Sequence, residues 1–147
     1  MQTAAWRSGQ FGQNNMKDIK QYFAGDQFAA RSNIELLEAA NGCAKAKMTL
    51  QPHHWNGHGS THGGAIFTLA DFAFAAASNS HGTVAVAIDA NITFMKATAT
   101  GTLYAEAREQ ARNAKLGSYS VEVRDEQGEL IAQFQGLAYR KKQEWTG

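Results

Sequence analysis

Trp55-Asn56-Gly57-His58-Gly59-Ser60-Thr61-His62-Gly63-Gly64 runs straight into Ala65-Ile66-Phe67-Thr68-Leu69-Ala70-Asp71-Phe72-Ala73-Phe74-Ala75-Ala76-Ala77. Glycines and polar side chains give way to about four turns of nearly unbroken apolar residues, which reads as a loop feeding a helix buried on almost every side. One carboxylate interrupts that run. An ionised carboxylate taken out of water is strongly destabilising unless it is paired or hydrogen-bonded, and no Lys or Arg lies between Gln51 and Lys96 to pair with Asp71 locally. On helical geometry Thr68, Asp71, Ala75 and Ser78 share one narrow polar or small stripe, which is expected to line a cleft. The bland alternative is that Asp71 bonds a neighbouring backbone group or faces a subunit seam.

The start of the same helix carries complementary chemistry. Its unpaired backbone N–H groups and the positive end of the helix dipole attract developing negative charge. Gly63 and Gly64 let a ligand approach that backbone closely, which makes an oxyanion hole in prospect if the donors point at an empty site. Asp71 lies about 12 Å further along the axis, so it cannot reach an atom held by Gly63 of its own chain. Two copies of the helix, antiparallel across a two-fold axis, bring the two together.

Outward from this core the period changes. Ile34 to Ala40 and Cys43 to Leu50 flank Asn41-Gly42, the strongest hairpin signal in the chain. Ser80-His81-Gly82 stops the helix, with Gly82 available for a left-handed cap. Val84, Val86, Ile88, Ala90, Ile92 and Phe94 then alternate with other residues, which predicts a long half-buried strand. Further alternation follows from Leu103 to Arg108 and from Tyr119 to Arg124. Asp125-Glu126-Gln127-Gly128 turns into a last strand from Glu129 to about Arg140. With no long helix between these strands, the sheet is expected to be antiparallel and wrapped round the one long helix, an α+β arrangement.

The chain has 147 residues, which predicts one domain, short for an enzyme with its own closed site. Net charge is +1, with no polybasic block pointing to nucleic acid. The single cysteine, Cys43, excludes an internal disulfide, fits a reducing cytoplasmic compartment and reads as a small core residue of a strand. The longest apolar run is shorter than the roughly twenty residues a bilayer demands, so no membrane partner is expected. Met1 to Asn15 lack the apolar region of a secretory signal and read as an arm, with a helical pattern opening at Met16. Residues 1–25 are therefore taken as arm and short helix, 26–142 as the domain, and 143–147 as a tail.

The run His62-Gly63-Gly64-Ala65-Ile66-Phe67-Thr68-Leu69-Ala70-Asp71, preceded by Asn56-Gly57-His58-Gly59, closely resembles the signature of hotdog-fold acyl-CoA thioesterases of the phenylacetic-acid-degradation type. The likeness extends from about Asp26 to Arg140 and includes Asn33 to Gly42 and Ile92-Thr93-Phe94-Met95-Lys96. It implies a hotdog fold, Asp71 as general base or nucleophile, and the Gly63 N–H as the donor to the thioester oxygen. It implies no cofactor beyond the coenzyme A of the substrate and no metal, and homodimers that pair into tetramers. Lys96-Ala97 stands where family members often carry Arg-Pro, which bears on the bend there and on any phosphate contact.

The remaining candidates are weighed beside that likeness. His53, His54, His58 and His62 cluster in the manner of metal ligands, yet Gly57 and Gly59 argue against the helix that would align them. His62 is expected to orient the Gly63 loop by hydrogen bonding. Asn56 is a candidate for touching water or thioester, or else a turn former ahead of Gly57. Gly64, Thr68 and Phe67 are taken as substrate-binding, and Phe67, Phe72 and Phe74 read either as walls of an aromatic-sized pocket or as plain core. Lys96 and Lys115 are taken as phosphate contacts, against a background of ordinary solvated surface. Two other function classes stay open: an acyl-thioester dehydratase or hydratase, for which His62 is the sole candidate base, and a non-catalytic acyl-CoA binder.

Overall fold

The computed structural model describes residues 13–145, in the order α1 (Gln13–Phe23), α2 (Gln27–Arg31), β1 (Ile34–Ala40), β2 (Cys43–Thr49), a 3-10 turn (Pro52–His54), α3 (Gly63–Asn79), β3 (Thr83–Phe94), β4 (Thr102–Arg112), β5 (Leu116–Arg124) and β6 (Leu130–Glu144). The arm expected over Met1 to Asn15 lies outside the described residues except at its end, where α1 begins ahead of Met16. No helix among the described residues is long and apolar enough to cross a membrane.

The six strands form one antiparallel sheet in the order β1-β2-β4-β5-β6-β3. Asn41 and Gly42 both hold positive φ, 50° and 80°, the pairing that a tight hairpin of right-handed twist demands. The sheet curls round α3 because the facing surfaces are small: Ala44 and Ala46 of β2 and Ala105 and Ala107 of β4 lie under Ala70, Ala73, Ala76 and Ala77 of the helix, all buried. Larger side chains fill the flanks. Phe74 packs on Tyr119 and Phe134 at ring distances of 5.4 and 5.7 Å, and Gly136 lets that ring approach the sheet backbone.

Strand β3 departs from the half-buried strand that its alternation predicts. A bulge between Ala87 and Asp89 reverses the phase, so Val86 lies opposite Tyr139 on the outer face while Ala90, Ile92 and Phe94 lie opposite Gly136, Phe134 and Ala132 on the inner one. It is also an edge strand, with Ile88 and Phe94 55% and 51% exposed. Cys43 departs too: it opens β2 half-buried, opposite Arg108, and is not in the core. Strand β6 runs to Glu144, past the expected end near Arg140, because its last residues pair with the start of β3 at Thr83.

Candidate active site

The segment before α3 is built by its own hydrogen bonds. His54 is buried, with Nδ1 accepting from the Gln51 N–H at 2.9 Å, so its Nε2 carries the proton and donates to Ser32 O at 2.8 Å. Burial lowers its affinity for a second proton. Trp55 and Thr61 bridge across a small hairpin, inside which Asn56 Oδ1 accepts from the N–H groups of His58 and Ser60 at 2.8 and 3.2 Å. The Asn56 oxygen is thereby committed to the turn, and its amide Nδ2 is the group left to meet a ligand.

The residues after β3 clamp this hairpin. Thr61 N–H donates to Thr98 O at 2.7 Å, the Trp55 indole donates to Ala99 O at 2.8 Å, and the Phe94 ring stands against Gly63, where an added Cβ would lie 3.0 Å from Cζ. His62 is the N-cap of α3, and its Nδ1 accepts from the Gly64 N–H at 2.8 Å. That bond takes up the Gly64 donor and makes Nδ1 an acceptor. The Gly63 N–H has no acceptor among the described residues and stays available at the positive end of the helix.

Along α3 most side chains are buried, and the partly accessible ones after the first turn are Phe67, Thr68, Asp71 and Ala75. Ser78, expected on the same stripe, is buried and donates back to Ala75 O at 3.1 Å. Thr68 Oγ1 donates to Gly64 O at 2.7 Å, so it offers a ligand only its lone pairs. Phe67 meets Phe134 edge-on at 5.4 Å and has one side toward the accessible stripe, whereas Phe72 and Phe74 are core. Asp71 makes no hydrogen bond and no ion pair among the described residues. Burial, and secondarily the charge of Asp26, hold its carboxyl above the usual carboxylate range. Asp26 is the N-cap of α2 and borders a hollow of about 290 Å³ with Phe23 and Phe72. Nothing in the sequence signalled that neighbour, because the two acids are far apart in the chain.

The two lysines expected at phosphates stand at opposite ends of the sheet. Lys96 follows β3 and is ion-paired with Glu129, while Lys115 lies exposed in the β4–β5 turn, where Asn113 Oδ1 accepts from its backbone N–H at 2.9 Å. The Lys115 ammonium has no carboxylate partner among the described residues. A hollow of about 590 Å³ lies at the C-terminal end of α3, between Asn41, His81 and Trp145, and neither Gly63 nor Asp71 borders it. Size is therefore a poor guide to the chemistry in a single chain. Among the described residues no group of three or more His, Cys, Asp or Glu could hold a metal.

The family model described as the thioesterase superfamily matches residues 58–132. The acyl-coenzyme A thioesterase PaaI of Escherichia coli K12 is 36% identical over 119 residues, 80% of this chain and 85% of that one. The solved structure of the E. coli PaaI protein from the phenylacetic acid degradation operon superposes with a TM-score of 0.84 at 34% identity, covering 88% of this chain and 95% of that one. The TT0310 protein of Thermus thermophilus gives a TM-score of 0.74 at 35% identity, over 78% of this chain and 97% of that one. A matched family model over the end of the loop, the helix, β3 to β5 and the start of β6, with these relatives along most of the chain, makes this protein a member of the thioesterase superfamily, a PaaI-like thioester hydrolase of hotdog fold.

Proposed function

We propose that this protein hydrolyses an acyl-coenzyme A thioester, aryl or medium-chain, with the Gly63 N–H of one protomer and Asp71 of another acting on one carbonyl. The observation that carries the proposal is the accessible stripe of α3, a carboxylate with no ion-pair partner among the described residues, some 12 Å from an N–H at the helix start with no acceptor among them. That separation supports a site shared between two chains. The exposed apolar edge strand β3, with Val86 and Ile88 uncovered, supports a homodimer formed there, and pairing of dimers is consistent with the likeness to PaaI.

In the reaction the Gly63 N–H and helix dipole stabilise the negative charge that forms on the carbonyl oxygen. Asp71 accepts the proton of a water whose oxygen adds to the carbonyl carbon, or its carboxylate adds directly and water then cleaves the resulting anhydride. In either course the C–S bond breaks and the thiolate departs with coenzyme A. His62 sets the geometry of the Gly63 amide through its bond to Gly64, Asn56 Nδ2 is available to hold the water, and Phe67, Thr68 and Gly64 line the slot. Lys115, exposed and without an ion-pair partner among the described residues, is the better of the two lysines for a phosphate contact, since Lys96 already neutralises Glu129. No cofactor or metal enters these steps. The dehydratase reading is disfavoured, because the His62 Nδ1 is occupied by a backbone donor.

Free-thiol release from a panel of acyl-CoAs tests the proposal. Asp71→Asn is expected to lower turnover by at least about a hundredfold while binding survives. Near-normal turnover in that variant would overturn the assignment of Asp71.

A further inference from the structure

Directly after Phe94 the chain leaves the ladder: the Met95 and Lys96 N–H groups both donate to Ile131 O, at 2.8 and 3.2 Å. Lys96 pairs with Glu129, and the next turn is bonded to the 55–61 hairpin through Thr98 O and Ala99 O. The backbone that carries Phe94 is thus held on both sides. The ring faces inward opposite Ala132, yet it lies past the start of α3 and is 51% exposed. Its tip rests on the Gly63 backbone, with three ring carbons 3.0, 3.4 and 3.5 Å from the position of a Cβ. An apolar ring therefore stands on the Cβ side of the residue whose N–H has no acceptor among the described residues.

A carbonyl that accepts from the Gly63 N–H must set its acyl substituent in the space this ring leaves. We propose that Phe94 is the specificity-determining wall of the acyl slot, limiting the bulk allowed next to the reacting carbonyl. The inference rests on the Gly63 half of the function proposed above and does not depend on Asp71. A methyl group at position 63 would press on the ring and displace it by a few tenths of an ångström. A hydrophobic wall discriminates between acyl groups by the contact or clash of a few carbons, a factor of about ten or more in kcat/KM for a ring-sized change.

The test is the ratio of kcat/KM for a branched or aryl acyl-CoA to that for acetyl-CoA, measured on wild type, Phe94→Ala and Phe94→Trp, with Asp71→Asn assayed alongside. The ratio should rise about tenfold in Phe94→Ala and fall in Phe94→Trp, with circular dichroism and melting showing that both remain folded. A merely structural ring would lower all substrates together and leave the ratio unchanged. An unchanged ratio, or a shift in the opposite sense, would overturn the wall. Full activity in Asp71→Asn would instead overturn the base and leave the Phe94 ratios readable.

Discussion

Asp71 is the residue at which the proposed function meets stability. Its carboxyl is held above the usual range by burial and by Asp26, so between the unfolded and the folded value the native state binds more protons than the unfolded chain. Stability from this group therefore falls as pH rises through that window, and the penalty is complete above the folded value. Asp71→Asn should accordingly melt higher than wild type at pH 7, with the difference vanishing at acid pH, as calorimetry over a pH series would show. Turnover should run the other way: the wild-type rate declines on acidification with a limb above the ordinary carboxylate range, because the protonated carboxyl can neither accept a proton nor attack. A rate that is flat down to about pH 4 would contradict the assignment. That this acid is anomalous was legible from its apolar neighbours alone. That Asp26 stands near it was not, since a helix cap announces its local bond and says nothing of what α2 packs against.

Among the elements, the fit of α3 into the sheet depends on glycines and alanines as much as on large side chains. A Cβ on Gly136 would fall 2.8 Å from Cζ of Phe74, a ring only 1% exposed with no free space to retreat into. Gly136→Ala is expected to lower stability by about 1–3 kcal/mol, the usual scale of overpacking, seen as a lower denaturation midpoint with unchanged slope. The helix and both hairpin strands β1 and β2 were legible because apolar period, caps and the Asn41-Gly42 turn agreed. The faces of β3 escape the alternation for a definite reason: a bulge after Ala87 inserts a residue, and a period of two carries no warning of it. The clamp of the 55–61 hairpin by Thr98 and Ala99 was likewise invisible, since backbone acceptors leave no mark in residue identity.

At the scale of the whole molecule, one chain presents a helix start whose Gly63 N–H has no acceptor among the described residues, the Asp71 carboxylate about 12 Å further along the same helix, and an exposed apolar edge strand. Subunit exchange decides whether two copies complete the site. A chain carrying Asp71→Asn mixed with one carrying Gly63→Val places both lesions in one site of the heterodimer and leaves the other intact. Activity should return to about half the wild-type value per dimer. No recovery after proven exchange would place the site within one chain.

The amino-acid sequence by itself determined the long buried helix, its glycine-bearing start, the anomalous acid and the antiparallel strands around them, because each is written in local period and in the chemistry of caps and turns. Only the tertiary structure decided which strand lies at the edge, which face of β3 points inward, that Lys96 is spent on Glu129, and that the Phe94 ring stands against Gly63. Those outcomes depend on contacts between residues distant in the chain, and such contacts follow from packing and register, which no local pattern encodes.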